Sequence, residues 1–88
     1  MKLMGDFDSK RLTFGKWLRQ QRRTLDLTQE TFADQVGCAR ITLRRIESDA
    51  LKPSKELALI LLEKAGIPKS EREAWLPFTR GLADLPAK

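Results

Sequence analysis

Histidine is absent from the 88 residues, and cysteine occurs once, as Cys38. A single cysteine allows no internal disulfide, and without histidine a zinc site would lack its usual ligands. Cys38 is therefore read as a small packing residue. The missing histidine, together with the lack of a glycine-rich phosphate loop, removes the commonest general base and the commonest nucleotide cradle. No enzymatic activity, no cofactor and no small-molecule site are expected. No apolar run approaches the ~20 residues that span a bilayer, and Met1-Lys2-Leu3-Met4-Gly5-Asp6 has no long apolar stretch of the signal-peptide kind. The expectation is a cytoplasmic chain with no membrane partner. Internal repeats and low-complexity tracts are also missing, and the length suits one small domain with a thin core.

What the chain does have is charge, unevenly placed. It is 41% hydrophobic and 33% charged, with a net charge of +5. Between residues 10 and 45 stand Lys10, Arg11, Lys16, Arg19, Arg22, Arg23, Arg40, Arg44 and Arg45, against only Asp26, Glu30 and Asp34. From residue 46 onward the signs balance at seven each. A basic surplus can do no more than keep a protein soluble. Geometry has to decide whether it faces an acidic partner.

The punctuation predicts five helices and no strands, an all-α class of compact bundle. Thr13 is a good N-cap for a first helix whose Phe14, Leu18 and Leu25 share one face. Arg22 falls at the margin of that face, so it should be partly buried. Thr28 is the N-cap of a second, short helix with Phe32, Ala33 and Val36 inward, stopped at Gly37. Ser54 opens a fourth helix through the apolar run Leu57 to Leu62, stopped by Gly66 and Pro68. That run wraps most of the circumference, so this helix should be central. Ser70-Glu71-Arg72-Glu73 matches a capping box for a fifth helix, bringing Trp75, Leu76 and Phe78 as a lid, with Pro77 limiting or bending it. Trp17 is read as edge packing on the first helix.

The third helix, Ala39-Arg40-Ile41-Thr42-Leu43-Arg44-Arg45-Ile46-Glu47, is the informative one. With Leu43 set at 0°, Ala39, Ile46 and Glu47 fall within about 60° of it, toward the core. Ile41 at about 160° and Arg45 at about 200° point away, flanked by Arg40, Arg44 and Thr42. The outward face is thus basic with one apolar tooth. An α-helix lying in a DNA major groove has use for such a tooth against a thymine methyl while arginines reach guanine edges or phosphates.

Leu27-Thr28-Gln29-Glu30-Thr31-Phe32-Ala33, then Val36-Gly37, then Leu43-Arg44-Arg45-Ile46-Glu47 resembles the phage-repressor and Cro type of helix-turn-helix, also called the XRE family. The resemblance covers residues 12 to 67 and implies a lambda-repressor-like bundle, with the second helix across the DNA backbone and the third in the major groove. It implies base reading by Arg40, Ile41 and Arg45, and backbone contact by Thr28, Gln29, Thr42 and Arg44. Arg22 and Glu47 match a pair that many members use as an internal salt bridge. Many members carry serine or threonine where this chain has Ala39, so a capping hydroxyl is missing here.

The C-terminal part, Gly66-Ile67-Pro68 and then Glu71-Arg72-Glu73, resembles a narrower group of bacterial regulators in which such a module precedes a larger ATPase and repeat region. The expected layout is a flexible N-terminal segment at 1–11, a helix-turn-helix domain at 12–82, and a tail or linker start at 83–88. The expected function is sequence-specific binding of double-stranded DNA as the reading module of a bacterial transcriptional regulator. Homodimerisation and further domains C-terminal to this chain remain open. The rival reading reuses the fold as a protein-protein or antitoxin-like module, with Ile41 and the arginines gripping an acidic protein groove.

Overall fold

Each helix starts and stops for a reason that can be read in the backbone. The computed structural model describes residues 12–86; the segment 1–11, with Lys10 and Arg11, and residues 87 and 88 lie outside it. Five helices and no strand occur among the described residues: α1 Phe14–Thr24, α2 Gln29–Val36, α3 Arg40–Glu47, α4 Lys55–Lys64 and α5 Lys69–Thr79. None of them is long and apolar enough to cross a membrane. Residues 82–86, beyond α5, are not helical.

Hydroxyl caps start three helices. Thr13, Thr28 and Ser54 each accept the amide three residues on, from Lys16, Thr31 and Leu57. The fifth helix departs from expectation. Its N-cap is Pro68, in extended backbone, and Ser70 lies inside the helix with no cap bond. Proline fixes its own φ and offers a carbonyl, which accepts the Glu71 amide, so the helix begins ahead of the expected capping box. Pro77 does not end it: α5 continues to Thr79.

The core joins Phe14, Trp17 and Leu18 of α1 to Phe32, Ala33 and Val36 of α2, Leu43 and Ile46 of α3, Leu61 and Leu62 of α4, and Trp75 and Phe78 of α5. Burying a side chain of this size stabilises by about 1.5–3 kcal/mol each. Trp17 goes deeper than edge packing. It is buried, with its ring centroid 4.8 Å from that of Trp75 and 6.3 Å from Phe78. Trp75 and Phe78 are the lid over α1, while Leu76 is only half-buried.

Two wheel positions fail for local reasons, and one apolar run is less buried than expected. Leu25 is exposed, because it is the C-cap of α1 and the core place at that end goes to Leu27. Ala39 is exposed because it is the N-cap of α3, with extended backbone to which a helical wheel does not apply. The apolar run of α4 is not wrapped all round: Ala58, Leu61 and Leu62 are buried, Leu57 and Leu59 half-buried, and Ile60 exposed.

Gly15 is the closest approach in the bundle. A Cβ placed there would lie 2.5 Å from the carbonyl oxygen of Ile46 and 2.6 Å from that of Glu47. These are backbone atoms at the C-terminal end of α3, so the N-terminal end of α1 rests directly on them. Overpacking costs about 1–3 kcal/mol where atoms can shift, and more where they cannot. Gly15→Ala is therefore expected to lower stability by at least that much, read as the chemical-denaturation midpoint. A midpoint equal to the wild type would mean that the two helices are not in contact there.

Candidate nucleic-acid interface

Burial divides the eight residues of α3 into two sets. Leu43, Ile46 and Glu47 are buried, Thr42 is half-buried, and Arg40, Ile41, Arg44 and Arg45 are exposed. Ile41 keeps 53% of its surface in solvent. The three arginines have no hydrogen-bond or ion-pair partner among the described residues. Because i and i+4 lie on one strip of a helix, Arg40 and Arg44 form one strip and Ile41 and Arg45 the next.

Arg40 and Arg44 look onto an open cleft between α1, the start of α2 and α3. Thr28 and Gln29 line its α2 side, and Arg22 and Glu47 its floor. Ile41 and Arg45 stand outside it, on the outward face of α3. The turn from α2 to α3 runs through Gly37, whose φ of 87° is left-handed and suits a residue without a Cβ. The amides of Gly37 and Cys38 both bond to the carbonyl of Ala33. Cys38 is half-buried, and its burial raises the thiol pKa, an effect partly offset by a hydrogen bond from the backbone of Leu43. That favours the neutral thiol, not a reactive thiolate.

The floor of the cleft is an ion pair with every polar atom used. Arg22 Nε lies 2.7 Å from Glu47 Oε2, and Arg22 Nη2 lies 3.1 Å from Oε1. Arg22 Nη1 donates to the carbonyl of Leu27 at 2.8 Å, and Gln29 Nε2 donates to Glu47 Oε1 at 3.0 Å. The Arg22 side chain is 10% exposed and that of Glu47 3%. No buried side-chain nitrogen or oxygen among the described residues is left without a partner. The pair thus ties α1 and the α1–α2 turn to the first residue of α2 and the last of α3.

Asp49 is a residue that the sequence reading missed. Its carboxylate accepts the Gly15 amide at 3.0 Å and the Thr13 hydroxyl at 2.6 Å, so it caps α1 from across the bundle. An acid at a helix N-terminus is also favoured by the helix dipole. Asp49 adopts φ 65°, and Asp26, after α1, adopts φ 63°. Both are left-handed turns that ordinarily attract glycine or asparagine. The signal available in the sequence was an acid two residues past Glu47, which is too weak to separate from any surface aspartate.

A family model described as a helix-turn-helix domain matches residues 13–75, from the N-cap of α1 into α5. Neither a curated protein nor a solved structure gave a match.

Glu47 sits where removal strands a buried guanidinium. Breaking a buried pair by deleting one partner costs about 3–5 kcal/mol, whereas an exposed pair is worth about 0–1. Glu47→Ala is therefore expected to lower the melting temperature sharply. A melting temperature unchanged in Glu47→Ala would show that Arg22 is hydrated in solution.

Proposed function

The chain belongs to a helix-turn-helix domain family of the XRE and Cro type, and we propose that it is the DNA-reading module of a bacterial transcriptional regulator, acting without a catalytic step and in the cytoplasm. In this reading α3 enters the major groove of double-stranded DNA and the start of α2 crosses the backbone. The observation that supports it most is the exposed Ile41 among arginines that have no protein partner among the described residues. Stability does not call for a β-branched apolar residue on that face.

The roles follow the two strips except at Arg40, which stands on the Arg44 strip but at the N-terminal end of α3. Ile41 packs against a thymine methyl, while Arg45 and the long Arg40 side chain reach guanine O6 and N7. Arg44, Thr42, Thr28 and Gln29 position the module on phosphates. The Gln29 amide has two hydrogens. Glu47 takes one of them, so the ring of contacts leaves the other for a phosphate. Ala39 supplies no hydroxyl cap to α3, so contacts at that end rest on arginines and backbone amides. The further regulator domains C-terminal to this chain belong to the same reading.

Binding to duplex DNA is expected to fall steeply with salt, by about 0.9 units of log–log slope for each phosphate neutralised. Fluorescence anisotropy at several salt concentrations measures it. Absence of binding at low salt removes the DNA reading, and the protein-groove alternative then takes its place. Selection of bound sequences from random duplexes gives the site, and a palindrome with two half-sites would report a dimer.

Ile41→Ala separates base reading from folding. The melting temperature should hold or rise slightly, since alanine is the better helix former. Affinity for the selected site should fall by about 1 kcal/mol, and the loss should shrink when the contacted thymine is replaced by uracil. Equal affinities of wild type and variant on every duplex would assign the apolar tooth to a protein partner.

A further inference from the structure

We infer that Arg19, on α1, is a DNA-backbone contact that closes the α1 side of the cleft and grips the same phosphate strand as Arg44; the inference rests on the DNA reading above. The first helix thereby joins the interface, and the cleft is a clamp with walls from three helices.

Arg19 lines the cleft together with Arg44 and Ser48. Residues three apart share a helix face, and Arg19 precedes Arg22 by three just as Arg44 precedes Glu47 by three. Both therefore flank the buried ion pair, one from each helix. The floor between them is electrically neutral, because the charges of Arg22 and Glu47 cancel at 2.7 Å. The rim is not. Arg19, Arg40 and Arg44 are all exposed and none has a partner among the described residues, while Glu30 is the one acid lining the cleft besides the paired Glu47. Basic residues at the rim of a concave surface focus the field there.

The placement beside α3 selects the ligand. With the outward strip of Ile41 and Arg45 against base edges, and Arg40 reaching over to them from the N-terminal end of α3, Arg44 on the neighbouring strip faces the wall of the groove, which is sugar and phosphate. Arg19 stands across the cleft from that strip, on a different helix, and so meets the strand from outside the groove. A guanidinium in that position finds phosphate oxygens and no base edge. Arg23 supplies the contrast. It is on the same helix, carries the same charge and is also exposed, but it does not line the cleft.

The test compares Arg19→Ala, Arg19→Lys and Arg23→Ala by fluorescence anisotropy over a range of salt, on a labelled duplex of arbitrary sequence and on the selected site. Arg19→Ala should flatten the log–log slope by about one unit and weaken both duplexes by the same factor. Arg19→Lys should restore the slope, and Arg23→Ala should change it by less than about half a unit. Equal effects of Arg19→Ala and Arg23→Ala, with a wild type that binds and a steep slope, would mean that Arg19 acts only as a distant charge; the clamp is then wrong and the DNA reading survives. A loss confined to the selected site would make Arg19 a base reader and overturn the clamp as well. A wild type that binds neither duplex overturns both. Melting temperatures accompany each variant, and because Arg19 is exposed and unpaired among the described residues, they should match the wild type.

Discussion

The bidentate contact between Arg22 and Glu47 is the constraint on which the arrangement of the first three helices depends. Taking two charges out of water is expensive, and their attraction repays this only when geometry is good and the remaining donors and acceptors are satisfied. Here they are: Arg22 also holds the Leu27 carbonyl, and Glu47 also holds the Gln29 amide. An apolar core tolerates sliding, because burial has no direction. A guanidinium fork on a carboxylate does not. The pair therefore sets the rotation of α3 about its axis, and with it which strip of that helix looks outward.

A second anchor lies close to the first. Gly15 lets α1 rest on the last carbonyls of α3, and Asp49, in the turn that follows, returns two hydrogen bonds to the start of α1. Both anchors act at the C-terminal end of α3. Its N-terminal end is held by Leu43 in the core and by the Gly37 turn, and has no side-chain cap. Both anchors hold α1 to the C-terminal end of α3, and the cleft opens beside them between α1, the start of α2 and α3.

Periodicity and turn chemistry made most of the fold legible. Thr13, Thr28 and Ser54 announced their helices, and Gly37 and Gly66 their ends, because caps and left-handed turns have strong residue preferences. The inward positions of Leu43, Ile46 and Glu47 followed from a wheel, as did the outward position of Ile41. What stayed hidden depends on contacts between distant residues or on backbone that is not helical. Gly15 reads as an ordinary helical glycine until Ile46 and Glu47 are placed over it. Asp26 and Asp49 do the work of C-terminal glycines without being glycines. Leu25 and Ala39 belong to caps, where a wheel assigns a direction that the chain does not take, and Pro68 moved the start of α5 ahead of a capping box that looked sufficient. In the candidate site, the exposed residues of α3 were legible one by one, whereas the shared cleft was not, since it joins residues from three helices.

The eight residues of α3 also explain why so much of the bundle serves one helix. Isolated helices shorter than about 12–15 residues are marginal in water even with favourable sequences. This one carries Arg40, Arg44 and Arg45, which repel one another, and exposes an isoleucine whose branched side chain lowers helix propensity. Arg44 and Arg45 in the last turn gain from the helix dipole, but only by about 0.3–1 kcal/mol each at an exposed position. Leu43, Ile46 and Glu47 must therefore supply most of its stability, through the core and the ion pair, so that the other positions are free to be chosen for what they touch. A helix that folded on its own merits would need its surface for itself; α3 borrows its stability from α1 and α2, and that is what leaves a basic face with an apolar tooth available to a partner.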